Sequence, residues 1–170
     1  MSVGFRQTVD FPCVIPDHIL QRDNTLALWL VVLAADRVCA LPLNRIGEVM
    51  RPLPVRGVPG TPASVAGVAR VRGVPTAIVD AGLLLGGRAS TGAESRFVTI
   101  IGASPVALRV EAVFGVRELD AEALTLPPLI EDSPLVSAIG ARDRDLLLIL
   151  RTSRLIPHDV EALLAQQPRV

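Results

Sequence analysis

The sequence predicts an all-β protein: two similar small barrels packed together, with short helices and one C-terminal helix. Three observations predict it. Half of the 170 residues are hydrophobic but only 3% are aromatic, so Val, Leu, Ile and Ala must fill the core, and β-branched richness favours strands. Fourteen prolines and thirteen glycines interrupt the chain too often for long helices. Finally, the chain repeats itself at a shift of about 67 residues. Ala40-Leu41, Leu43, Ile46 and Val49 match Ala107-Leu108, Val110, Val113 and Val116, and at a similar shift Val68, Ile78-Val79 and Leu84 match Ile139, Ile149-Leu150 and Leu155. Each half then reads hairpin, strand, hairpin, short helix.

Taken in order, residues 1–24 mix proline with charge and are expected as an extended arm. The double-barrel domain is expected over 25–156. Leu26 to Leu43 reads as a hairpin turning at Ala35-Asp36-Arg37. Its first arm, LALWLVVLA, is apolar on both faces, which predicts a central strand covered on each side. Trp29 and Cys39 are expected as core residues. Thr61-Pro62-Ala63-Ser64 has the pattern of one helical turn with Thr61 as its N-cap.

The chain is organised around Val65 to Gly86. This stretch reads as strand, tight Arg72-Gly73 turn, strand, and a helical turn opening at Asp80. Gly73 supplies the conformational freedom of a tight turn, and the Asp80 carboxylate is placed to accept free backbone N–H groups of the helix start. The polar loop GGRASTGAES that follows is expected to be flexible and exposed. Arg96 to Val110 and Val136 to Leu150 read as further hairpins, the second with its turn at Arg142-Asp143-Arg144. Thr152 to Ile156 resembles a short helical turn. Residues 157–170 are expected as a helix with a narrow apolar stripe of Val160, Leu163 and Leu164.

Charge and composition restrict function. Net charge is zero, with 17 basic and 17 acidic residues, so no nucleic-acid partner is expected. Every basic residue is arginine, which excludes a phosphate-loop or Schiff-base lysine. That bias favours interface contacts or is compositional. Two cysteines, Cys13 and Cys39, make neither a disulfide framework nor a metal site. No apolar run is long enough to span a bilayer, so a cytoplasmic protein without direct membrane insertion is expected. No catalytic motif, metal-spaced cluster or dinucleotide fingerprint is present, so neither a catalytic residue nor a cofactor is expected. His18 and His158 fall in opposite tails. The carboxylates Asp36, Glu48, Asp80, Glu111, Glu118, Asp120 and Glu122 are scattered; Asp80 and Glu111 sit at strand ends, where structural hydrogen bonds are their default role.

The central stretch also carries a resemblance. Gly67-Val68, Arg72-Gly73, Ile78-Val79-Asp80 and Leu85-Gly86 are similar to the signature of the CheW family of chemosensory scaffold proteins. Val110-Glu111-Ala112-Val113, and Ile139-Gly140 followed by the arm Leu146 to Leu150, are further echoes. The resemblance implies two SH3-like five-stranded barrels side by side and no catalytic activity. It implies two partners: a chemoreceptor cytoplasmic tip, held in a groove between the barrels, and the regulatory domain of a histidine kinase, bound barrel to barrel. Carried over by position, Arg72 and Gly73 become partner-binding residues. Arg70 beside them and the groove-side positions Val38 and Leu41 join that set, while Gly67, Asp80 and Glu111 are structural. A purely structural Arg72, bonding local carbonyls, is the alternative. The chain departs from the pattern at Arg70-Val71, where the family has Asn-Leu, at Ala77, where it has proline, and at Arg151, often acidic in the family. It therefore resembles a divergent, free-standing member serving a chemotaxis or pilus-motility array. A small-ligand barrel, or a degenerate barrel that no longer docks, is the competing expectation.

Overall fold

Nine consecutive apolar residues, Leu26–Ala34, form β1, and both of its faces are covered. Leu30, Val32 and Ala34 point into one buried cluster and Val31 into another. The computed structural model describes residues 26–142, 144–155 and 162. The N-terminal arm expected over 1–24, and the C-terminal helix expected over 157–170 apart from Ala162, lie outside the described residues. So do Cys13, His18 and His158.

Ten strands are described: β1, then β2 (Arg37–Pro42), β3 (Ile46–Met50), β4 (Val65–Val71), β5 (Val74–Asp80), β6 (Arg96–Ile100), β7 (Val106–Val110), β8 (Ala112–Asp120), β9 (Val136–Arg142) and β10 (Asp145–Leu150). The single α-helical turn α1 spans Ala81–Leu84. The strands form two five-stranded sheets, in the orders β8-β1-β2-β10-β9 and β3-β6-β7-β5-β4. No ladder closes either sheet into a barrel among the described residues. A single bridge does part of that work in each: Arg56 with Val68, and Thr125 with Ile139.

The sheet orders turn the sequence repeat into an exchange. The first half of the chain supplies β1–β5 and the second supplies β6–β10. The first sheet takes β1 and β2 from the first half and β8, β9 and β10 from the second; the other sheet takes the complementary set. Each sheet then has the same plan, including one parallel pair, β2 with β10 and β7 with β5. The halves do not fold as separate barrels, because each hairpin finds its neighbours in the other half.

Three apolar layers follow. The largest joins Leu30, Val32, Cys39 and Leu41 of the first sheet to Val79, Val98, Val106 and Leu108 of the second. Two smaller clusters fill the outer faces: Val31, Ala40, Leu147 and Ile149 with Trp29 against them, and Ala69, Ile78, Phe97 and Ala107. Each fully buried Leu or Val contributes roughly 2 kcal/mol of transfer free energy. Trp29 is half-buried against its cluster, and burial pushes the Cys39 thiol up to about 12, so both are core residues as expected.

One local expectation fails and another holds only in part. Thr61–Ser64 makes only a turn, because the Thr61 hydroxyl donates backwards to the Val58 carbonyl at 2.8 Å instead of capping. The polar loop after α1 is exposed over most of its length, as expected, but is pinned at two points: Ser90 and Ser95 are buried, and the Ser90 N–H donates to both Asp80 carboxylate oxygens at 3.0 and 2.9 Å. Composition alone hides this, since small polar residues suit a buried capped loop as well as a solvated one.

Gly67 lets the backbone at residues 56–57 pass close against β4. Its φ is +137°, and a Cβ there would stand 2.1 Å from the Arg56 carbonyl oxygen that receives the Val68 N–H. Gly73, with φ +84°, faces open space. Gly67→Ala is therefore expected to lose roughly 3 kcal/mol in urea denaturation, while Gly73→Asn stays within about 1 kcal/mol.

Candidate functional site

The β4–β5 hairpin turns on Arg72 and Gly73, which both have positive φ, 48° and 84°. That pair of left-handed residues is the geometry of the tightest hairpin connection. It throws the Arg72 side chain outward, leaving it 73% exposed.

Arg72 does not bond local carbonyls. It grips the Glu48 carboxylate of β3 in a forked contact: Nε donates to Oε1 at 2.9 Å and to Oε2 at 3.1 Å, and Nη2 to Oε2 at 2.6 Å. Glu48 is set in place by a β-bulge. The β3–β6 register slips between Ile46 and Val49, and there the Thr99 hydroxyl accepts from the Glu48 N–H at 2.7 Å. Gly47 makes room, since a Cβ would approach the Thr99 oxygen to 2.7 Å. β3 and β4 are opposite edges of their sheet, so the Arg72–Glu48 pair ties one edge to the hairpin carrying the other. The planar fork matches a carboxylate and freezes the arginine in one orientation.

Arg70, exposed on β4, lines an open surface groove of about 300 Å³ with Pro54, Arg56, Val68, Ala69 and Pro75. The structure thus brings Arg70, Arg72 and Gly73 to one end of one hairpin. Val38 and Leu41 lie on β2 of the other sheet, on opposite faces. Val38 is half-buried against the outer cluster, and Leu41 is 0% exposed in the central layer. Leu41 corrects the groove-side expectation: it offers no surface and acts through packing.

The three residues expected to be structural hold the frame. Gly67 permits the close pass of Arg56. Asp80, buried, caps α1 by accepting from the Leu83 N–H at 3.2 Å as well as from Ser90. Glu111, between β7 and β8, accepts from Arg88 Nε at 3.0 Å and Nη2 at 2.9 Å, and Arg88 Nη2 also reaches Asp36 at 2.8 Å. Asp36 lies in the β1–β2 turn and Arg88 in the loop after α1, so this trio clamps one sheet to the other. Glu48, Asp36 and Arg88 carry geometry that reasoning from the sequence missed. Glu48 and Arg72 are 24 residues apart, and no local spacing signals their meeting. Among the described residues, no group of three or more His, Cys, Asp or Glu is placed to hold a metal, and no helix is long and apolar enough to cross a membrane.

The Arg72 hydrogen bonds hold the Glu48 carboxyl below its ordinary value, against a smaller opposing effect of partial burial. Its contribution to stability is present above the ordinary carboxylate range and is lost as pH falls through the lowered value. In an NMR titration Glu48 is expected to protonate below a normal glutamate and to return toward 4.5 in Arg72→Ala. A Glu48 midpoint unmoved by Arg72→Ala contradicts the pairing.

Comparison with known proteins adds to this geometry. The model of the CheW-like domain matches residues 28–160. No curated protein matches the chain. Among solved structures, the scaffolding protein TtCheW from Thermoanaerobacter tengcongensis aligns with a TM-score of 0.67 at 23% identity, covering 74% of this chain and 88% of that one. At that identity the likeness establishes the fold, two five-stranded sheets in the arrangement described above.

Proposed function

Because the chain belongs to the CheW-like domain family, matched over residues 28–160, we propose that it is a non-enzymatic scaffold that couples chemoreceptors to a histidine kinase in a cytoplasmic chemosensory array. The family match is the observation that carries this reading. The fold shared with a scaffolding protein supports it. Its partners are the kinase regulatory domain and the receptor's cytoplasmic tip, and its output is chemotaxis or pilus motility.

Arg72, Gly73 and Arg70 form the contact end, with Val38 contributing from the other sheet. Arg72 suits this role physically. It is exposed, so a partner reaches it, and Glu48 already holds its fork, so little rotamer entropy is lost on docking. A carboxylate or carbonyl of the partner takes the donors that Glu48 leaves free.

The test is binding of the full chain to the purified kinase regulatory domain and, separately, to a receptor signalling tip. Arg72→Glu is expected to weaken binding at least about tenfold, some 1.4 kcal/mol, with an unchanged circular dichroism spectrum. Absence of binding to either partner at about 100 μM, well above transient-contact affinities, overturns the coupling role.

A further inference from the structure

One stretch of the second sheet carries positive charge that its own residues do not answer. Between Glu48 and Asp80 the chain carries Arg51, Arg56, Arg70 and Arg72 and no carboxylate. Arg72 is taken by Glu48. Arg51, Arg56 and Arg70 are exposed and make no ion pair among the described residues. Arg56 and Arg70 stand on the walls of the groove, and the rest of its lining is apolar: Pro54, Val68, Ala69 and Pro75. Arg56 lies opposite Val68 and Arg70 opposite Pro75, so these four side chains share one face of the sheet. At about 300 Å³ the groove has room for a few side chains of an extended segment.

The chain's own N-terminal arm has the complementary pattern. Phe11-Pro12-Cys13-Val14-Ile15-Pro16 is an uncharged, apolar run between two carboxylates, Asp10 and Asp17. Phe11 and Ile15 each precede a proline, which biases both toward extended backbone, so little order is lost when the run docks. In an extended run Phe11, Cys13 and Ile15 share one face. The tether also suits the distance. Asp17 is nine residues from Leu26, where β1 starts, and nine residues span up to about 30 Å. Trp29 of β1 lies opposite Pro42, the turn Leu43–Arg45 leads from there into β3, and Glu48 of β3 holds Arg72. The root of the arm is thus connected, strand by strand, to the hairpin that bears the groove.

We propose that the groove between Pro54 and Pro75 holds residues 10–17 of its own chain. Phe11, Cys13 and Ile15 rest on Val68, Ala69 and the two prolines, and Asp10 and Asp17 answer Arg56 and Arg70. The contact is internal to one copy and requires neither receptor nor kinase. It has a consequence that does rest on the coupling role: the docked arm covers Arg70, so it must leave before a partner takes the 70–73 end. The arm is then an autoinhibitory strap on that contact.

The test is the rate at which iodoacetamide alkylates Cys13 in the full chain alone, read by peptide mass. Cys39 does not interfere, being fully buried with its thiol pushed up to about 12. Cys13 is expected to react at least about tenfold more slowly than in the free peptide of residues 8–18, at a rate independent of protein concentration. Phe11→Ser/Ile15→Ser and Arg56→Glu/Arg70→Glu are each expected to raise the rate to within about twofold of the peptide's. Adding Asp10→Arg/Asp17→Arg to the second pair should regain protection. Circular dichroism checks folding. Phe11→Ser/Ile15→Ser changes only the arm, and in its NMR spectrum the amides of Ala69, Arg70 and Val74 should shift, which keeps the test decisive if a groove variant fails to fold. Wild-type Cys13 reacting as fast as the peptide overturns the proposal. So does protection that survives either pair of substitutions, an unshifted Arg70 amide, or a combined variant that stays reactive. Protection that grows with protein concentration places the arm on a second copy and overturns it as well.

Discussion

Leu30, Val32, Cys39 and Leu41 face Val79, Val98, Val106 and Leu108 across the space between the sheets, and the rest of the molecule depends on that apolar layer. A five-stranded sheet with one apolar face must bury it against something. Here each sheet buries its inner face on the other, and each is itself assembled from both halves of the chain. Neither sheet is complete, and neither has a partner surface, until the exchange has taken place. The Asp36–Arg88–Glu111 trio and the Arg37 donation to the Leu85 carbonyl at 3.2 Å then fix the rim of the same junction. These rim groups are largely exposed, so they set alignment more than stability.

The candidate site inherits its geometry from this frame. Arg72 stands on a turn whose two residues are both left-handed, and its forked contact reaches back to a bulge on the opposite edge strand. The bulge exists because Gly47 admits the Thr99 hydroxyl. An exposed arginine is normally a mobile group. This one is held in a single orientation by Glu48, whose own place is set by the bulge beside Gly47 and Thr99.

Much of this was legible in the sequence, for physical reasons. Strand positions followed from apolar runs bounded by turn residues, and the Asp80 cap followed from a carboxylate placed where a helix begins. The repeat announced that the two sheets would share one plan. What the repeat could not reveal was the exchange, because a shift in sequence says which elements are alike and not which become neighbours. The burial of Ser90 within an otherwise exposed loop was unreadable for a similar reason: the loop's composition fits solvent, and it is the Asp80 carboxylate that satisfies the buried Ser90 N–H. The Glu48–Arg72 pair and the Arg88 clamp join residues across sheet edges, where no helical or strand period connects them. Leu41 looked like a groove residue beside Val38, but alternation along β2 sends the two to opposite faces.

The exchange between halves is tested most directly by cutting the chain in the loop between α1 and β6 and examining residues 1–91 and 92–170 alone and mixed. Each fragment carries five strands, but two complete sheets need both. The account predicts that neither fragment alone gives a cooperative urea transition, and that the mixture forms a one-to-one complex that does. A fragment that unfolds cooperatively by itself would mean that each half builds its own barrel, and would contradict the interlocked arrangement on which the site's geometry rests.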